Sequence, residues 1–540
     1  MTDNHKYKTA KGNAADWWGV YNENIGRLDT DIEIRDSESN LGTYKPNRGA
    51  KFLALDTENK FIGEGDRWRA LTTSGRSPTV DSVQLRSLSN TVIYAANYDT
   101  IQEALDDATN GETVVLPGGT TTIQNPPILV SSKVTVQGSR SGSILKLPDG
   151  ANTHAITIAE GSIGVSLKDF RIDANGANQD TTIPRGDLHV IQKEPGASSV
   201  LYQNLTIIDA AKGAAIANAG GNDIVIIGCD GYRGGKNGEP CDFVFNNLVT
   251  SLRMSGCYAE NFTDTGMAQD NVRNTIVYGN IFKDFQSQAI SFVMDSTGGA
   301  IVGNQIVNAG ALSDGGIVVG PFGTNNRPTE LVVANNTVHD CQTNGIFVEA
   351  THVGTIGNVV AGNDGSGIVY RGGTYGGIIG NIVVDNGTST TPAPGILIQG
   401  TEAYNSVHNV VGMNVMHNTG DTQSYGIETA NPTENFNTFV GNSASGHTRQ
   451  AWNVSGRGNR RVGNSPPMPL ATGTVSLTPG GAQVVWSDPH FVHYPSVSLL
   501  ALSGRGQADS YVTTDEGRTQ IGVREIGREN PIEVQWAVWP

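Results

Sequence analysis

Ile276-Val277-Tyr278-Gly279-Asn280, Ile301-Val302-Gly303-Asn304, Thr355-Ile356-Gly357-Asn358, Ile378-Ile379-Gly380-Asn381 and Phe439-Val440-Gly441-Asn442 are variants of one short unit, an apolar run closed by Gly-Asn. Related units surround Cys229, Cys257, Asn336 and Asn414. The anchors recur at about 22 to 33 residues, the period of a solenoid in which each repeat buries its apolar stripe against the next. Apolar residues alternate within a unit, as in Gly345-Ile346-Phe347-Val348-Glu349 and Gly395-Ile396-Leu397-Ile398-Gln399. A period of two belongs to strands, and the Leu spacing and helical half of a leucine-rich repeat are absent. Short β-branched strands between Gly, Asn and Asp turns predict a parallel β-helix whose coils stack at about 5 Å. The turn Asn is expected to be structural, its amide serving its own turn and the coils above and below. Cys229 and Cys257 hold equivalent places in consecutive coils, which predicts a buried thiol ladder rather than a disulfide.

Composition sets further bounds. The chain has 540 residues, 68 of them Gly, and 16% charged residues, so turns are abundant and long charged helices are not expected. A net charge of −16 argues against nucleic acid and anionic membranes as partners, since both select basic patches. No stretch is apolar enough over the length needed to span a bilayer, so membrane insertion is not expected. The first residues, MTDNHKYKTAKGNAADWWG, lack an apolar signal core, which predicts a protein finished in the cytoplasm. The four Cys have no zinc-site spacing and no clustered Asp ligands appear, so neither a metal nor another cofactor is expected.

Three segments follow along the chain. Residues 1–90 lack the repeat and carry Trp17-Trp18-Gly19, the Lys45-Pro46-Asn47-Arg48-Gly49 turn and a hairpin pattern from Phe52 to Trp68, predicting a small β-rich module. Residues 91–464 are the solenoid. At its start Ile101, Ala104, Leu105 and Ala108 fall at helical spacing, with Thr100 and Glu103 as a capping box, so a helix over 100–109 is expected to cover the open end. After the Asn464-Ser465-Pro466-Pro467-Met468-Pro469 linker, residues 465–540 alternate as antiparallel strands and predict a β-sandwich. Trp486, Trp536 and Trp539 lie in it, the first two assigned to its core.

The stretch from Asp99 to Gly119, a short helix followed by Gly-x-Thr-Val-Val-Leu-Pro-Gly-Gly and then strands, resembles the entry to pectate-lyase-like right-handed parallel β-helix proteins. That group includes pectate lyases, polygalacturonases, alginate epimerases and viral tailspikes. Thr120 stands where its usual aromatic follows the Pro-Gly turn. Gly49-Ala50-Lys51-Phe52-Leu53-Ala54-Leu55-Asp56 and Ile62-Gly63-Glu64-Gly65-Asp66-Arg67-Trp68 resemble the particle-attachment region of viral tail proteins. The acidic balance also resembles haloarchaeal viral proteins. The resemblance implies a virion tail spike or fibre, assembled in the host cytoplasm and acting at the host surface. Its partners would be other tail or baseplate proteins and a host surface glycan or glycoprotein. The alternative is a free polysaccharide-processing hydrolase, lyase or epimerase.

If Ile346 and Val348 point inward, Phe347 and Glu349 point outward, and the same register is expected to expose Asp270, Asp295, Val369, Arg371, Leu397, Gln399 and Glu428. A strip of carboxylates, a guanidinium and apolar shelves suits a neutral or lightly charged oligosaccharide, and also describes an ordinary solvated sheet face. For cleavage, Glu349 and Asp295 are the candidate acid and base of an inverting hydrolysis, with Arg371, Gln399, Phe347 and Asp270 binding sugar. Exposed Phe347 and Leu397 further suggest a homotrimer about the long axis. Arg185-Gly186-Asp187 is read as coincidence rather than an adhesion motif, and His339-Asp340 as turn residues.

Overall fold

The computed structural model describes residues 33–45, 50–54, 60–63, 65–72, 92–321 and 326–466, together with six backbone strands from 471 onward. Contacts divide the chain into two units, Met1–Asn90 and Thr91–Pro540. Trp17, Trp18, the 46–49 turn and the side chains of Trp486, Trp536 and Trp539 lie outside the described residues.

In the first unit, Glu33–Asp36, Lys51–Ala54, Lys60–Gly63 and Trp68–Thr72 form one four-stranded sheet. The Phe52-to-Trp68 hairpin pattern is present as antiparallel pairing of the last three strands. Phe52 and Phe61 pack with Tyr44 and Trp68 over a small core.

Residues 92–466 form a right-handed parallel β-helix of three sheets. Successive coils contribute strands in turn to a 15-stranded sheet I, a 13-stranded sheet II and a 13-stranded sheet III, with one extra sheet I strand at each end. Inward residues of all three merge into one apolar core running from Ile93 to Val454. Each fully buried Ile, Leu, Val or Phe in it contributes about 1.5–3 kcal/mol of hydrophobic stabilisation before chain entropy is charged.

The Gly-Asn signature is the corner between sheets I and II. Gly279, Gly303, Gly357, Gly380 and Gly441 have φ of 62–66°, the left-handed conformation that Gly adopts without a Cβ clash. The Asn that follows turns into the solenoid. Asn358 is fully buried, its Oδ1 accepting from both the backbone N–H and the Nδ2 of Asn336, while its own Nδ2 donates to Asn381 Oδ1 and the Val333 carbonyl, all at 2.9 Å. The same pattern links Asn280, Asn304, Asn336, Asn381, Asn414, Asn442 and Asn464. Cys229 and Cys257 are free and buried in the preceding coils, and the Cys257 N–H donates to Asn280 Oδ1 at 3.0 Å. The Asn column is therefore structural, and it continues the thiol pair.

The opening helix spans Ile101–Asp106, shorter than the 100–109 span expected, because the chain leaves the helix at Asp107. The capping box is formed: Thr100 Oγ1 accepts from the Glu103 N–H at 3.1 Å and Glu103 Oε2 accepts from the Thr100 N–H at 3.2 Å. Ile101, Ala104 and Leu105 close one end of the core. Beyond the solenoid, six strands form two three-stranded antiparallel sheets, the two-sheet arrangement of a sandwich. No helix among the described residues is long and apolar enough to cross a membrane.

Candidate functional site

The outer face of sheet III carries the strip that the sequence singles out. Val318, Phe347, Val369 and Leu397 are in register and form a small apolar cluster separate from the core. Phe347 is not the open stacking surface expected of it. It is only 3% exposed, because the Arg371 guanidinium lies over its ring at 4.5 Å. Leu397 is half-buried, so the exposed apolar pair from which the trimer was inferred is largely covered.

Glu349 and Arg371 come together across adjacent coils. Arg371 Nε donates to Glu349 Oε2 at 2.7 Å, and Arg371 Nη2 lies 3.7 Å from Asp314 Oδ2 on the other flank. Glu349 is buried, not the exposed carboxylate expected, since the guanidinium roofs it as well. Gln399 pairs in register with Arg371 in the next coil and extends the polar edge.

The other two residues stand apart. Asp295 belongs to no strand. The outward slot in its coil is held by Val293, which pairs with Asp270, while Asp295 follows in the turn and is exposed. Two coils and two residues of offset separate the Asp295 and Glu349 backbones by on the order of 12 Å, and Asp295 lies outside the strand register that holds Glu349. The sequence reading slipped by two residues because this coil's strand is short and the alternation persists into its turn. Asp270 does face outward, and burial pushes its carboxyl up to about 6. Val293 and Gly320 separate it from Glu349 along the face.

Sequence reasoning missed Arg327, Tyr404 and Glu434. The only signal in the sequence is the extra length of the coils that hold them. Arg327 reaches back over the strip, its Nε donating to the Glu349 carbonyl at 3.1 Å and its Nη2 to the Gly372 carbonyl at 2.7 Å. Burial lowers the pKa of its guanidinium, which lies 4.5 Å above the half-exposed Tyr404 ring. Glu434, fully buried, accepts from the Gly400 and Asn431 N–H groups at 2.7 Å each and so fixes the loop carrying Tyr404. The strip thus presents two guanidiniums, an aromatic ring, an amide and an apolar shelf. It can hold hydroxyls and anionic groups, and Arg371 stands between Glu349 and Asp314, reaching both with its guanidinium.

Elsewhere, Arg185 of the Arg-Gly-Asp triplet is committed to ion pairs with Asp242 at 2.5 Å and Asp264 at 2.8 Å. Its guanidinium pins the 175–190 insertion to the solenoid. His339 pairs with its neighbour Asp340 at 2.8 Å, a turn contact. Among the described residues no cluster of three or more His, Cys, Asp or Glu has metal-binding geometry.

Neither a family model nor a curated protein sequence matches the chain. Solved structures do. Gene product 12 of bacteriophage phi29, in a pre-mature form, matches with a TM-score of 0.56 at 12% identity, covering 69% of this chain and 56% of its own. The A-module of an Azotobacter vinelandii mannuronan C-5 epimerase, AlgE4, matches with a TM-score of 0.51 at 15% identity, covering 67% and 98%. A tailspike mutant of E. coli bacteriophage HK620, in complex with a hexasaccharide, covers 88% and 91% with a TM-score of 0.48 at 13% identity.

The chain has the fold of the parallel β-helix proteins. Its structural neighbours include phage tailspikes and polysaccharide-acting β-helix proteins. At these identities the likeness concerns fold, and the chemistry rests on the strip itself.

Proposed function

We propose that this β-helix protein is a virion tail spike, attached through residues 1–90 and working as a homotrimer, that binds a host surface glycan along the outer face of sheet III. The observation that carries the reading is Arg371 packed on the apolar shelf at Phe347, with Gln399 in register beside it and Arg327, stacked on Tyr404, bonded to the backbone at Glu349 and Gly372 along the strip's edge. On a chain of net charge −16, paired guanidiniums beside an aromatic ring form a local exception suited to sugar hydroxyls and acidic substituents. Attachment is supported by the Gly49-to-Trp68 resemblance and by the separate compactness of Met1–Asn90.

Recognition without cleavage fits the strip better than hydrolysis. Of the candidate pair, Asp295 lies in a turn outside the strand register and Glu349 is held beneath Arg371. A processing activity remains the second reading, favoured by the fold shared with an epimerase module. A glycan array followed by product analysis separates the two. Retention of intact glycan supports the spike reading, shortened or epimerised product supports the enzyme, and no retention of any glycan overturns both.

A further inference from the structure

Among the described residues, about half of the exposed large apolar side chains fall on one region, the corner where sheet I turns into sheet II. Tyr278 is 58% exposed, Met413 64%, Val415 47% and Ile382 46%. Reading down the coils in register, the outward column of sheet I from Ile276 to Thr438 is Ile, Ala, Val, Gly, Gly, Val, Thr. The next column, from Tyr278 to Val440, is Tyr, Val, Ala, Ile, Ile, Gly, Val. Around the corner, the first outward column of sheet II from Ile281 to Ser443 is Ile, Gln, Thr, Val, Ile, Val, Ser. None of these positions is charged.

We infer that this corner is the surface through which three copies of the chain associate, around an axis parallel to the solenoid. The inference takes up the proposed homotrimer and locates its contact on sheets I and II instead of the sheet III residues Phe347 and Leu397. Three arguments favour a second copy over another partner. The columns span seven successive coils, about 30 Å along the axis, so the uncharged apolar face is continuous rather than scattered. A second copy carries rows at the same spacing of about 4.8 Å, so the Ile and Val rows of one chain seat between those of the other along the whole length. On an acidic chain, an uncharged face is also where two copies approach without like-charge repulsion.

The apolar surface continues around the corner, which selects the symmetry. A two-fold pair uses one face twice, whereas two faces meeting at an edge let sheet I of one chain contact sheet II of the next and close a ring. Sheet III then faces away from the axis, leaving the Arg371 strip open.

The test uses the full-length chain. Sedimentation of the unmodified protein is expected to give three times the chain mass of 57.0 kDa. Ile356→Lys and Ile382→Lys, both at exposed positions, are expected to give single chains with an unchanged far-ultraviolet spectrum. Should either fail to fold, Met413→Cys decides the matter, because all four native Cys are buried and a short bismaleimide then links only the new thiols. A covalent dimer is expected, and an unlinked chain overturns the corner. A trimer that persists in both Lys variants overturns the face while leaving the trimer. A two-chain mass abolished by the variants overturns the ring, and a single-chain mass for the unmodified protein overturns face and trimer together. Glycan retention, read separately on the same samples, reports on the sheet III strip and not on this corner.

Discussion

The Arg371 guanidinium covers the Phe347 ring at 4.5 Å, so that ring is closed by a side chain from the next coil. The same guanidinium neutralises buried Glu349. Arg371→Ala is expected to uncover Phe347 and strand the carboxylate, lowering stability by about 1–3 kcal/mol in denaturant unfolding. Glu349→Gln keeps a hydrogen-bond acceptor for Arg371 and is expected to cost less. A double variant that loses as much as the two single variants added together would show that the pair contributes nothing as a pair.

The Asn column makes a sharper stability prediction. Asn358→Ala removes two acceptor contacts to Asn336 and leaves the Val333 carbonyl without its side-chain donor, all inside the corner. At about 1–3 kcal/mol for each buried group left unpaired, the expected loss is on the order of 3 kcal/mol or more. A midpoint shift no larger than that of an exposed substitution would contradict a structural role.

Lys193 is fully buried at the end of a sheet III strand, and burial pushes its ammonium down to about 8. Its Nζ donates to the carbonyls of Ala197 at 2.8 Å, Ala219 at 3.0 Å and Gly220 at 2.6 Å, closing two successive turns around one cation. Lys193→Met preserves the stem and orphans these carbonyls. Loss of thermal stability with the coil architecture retained is expected by circular dichroism, and an unchanged melting curve would remove the role.

His189 is held neutral. Burial, then the neighbouring His154 and Arg185 charges, depress its pKa from 6.5 to about 3. Below pH 6.5 the unfolded chain takes up a proton that the folded chain refuses, so this residue's contribution to stability falls as pH drops from about 6.5 toward 3. The change is on the order of 5 kcal/mol over the full window. His189→Phe, whose ring is flanked by His154 and Phe245, is expected to flatten the acid limb of the stability profile. An acid limb of unchanged slope would contradict the assignment.

Deleting residues 1–90 is expected to leave a folded, glycan-binding remainder that no longer joins virions, since that unit has its own sheet and small core. Loss of solubility on deletion would make the module part of the solenoid's fold.

The fold was legible because its determinants are local and repeated. Gly357 must adopt a left-handed turn and Asn358 must bridge coils, so both recur at every equivalent corner. The helix cap was legible for the same reason, through Thr100 and Glu103. The strip was legible only where alternation held. It placed Phe347, Glu349, Arg371 and Gln399 on one face but could not show that Arg371 folds back over Phe347, which depends on side-chain reach. Asp295 was misplaced because periodicity does not mark where a strand ends. Arg327 and Tyr404 come from insertions without a repeat, whose course is set by contacts such as that of Glu434 with Gly400. The apolar corner at Ile356 and Ile382 was visible as residues and unreadable as a surface until the register of sheets I and II was known.

The central claim, glycan recognition by the Arg371 and Arg327 strip, is tested most directly by titrating the host surface polysaccharide retained on the array. The unmodified chain is compared with Arg371→Ala/Arg327→Ala and with Arg233→Ala, whose side chain pairs with Asp209 on another part of the solenoid. The account predicts at least about 100-fold weaker binding for the double variant, about 2.7 kcal/mol or more, and none for Arg233→Ala. Equal affinity in all three proteins would contradict it.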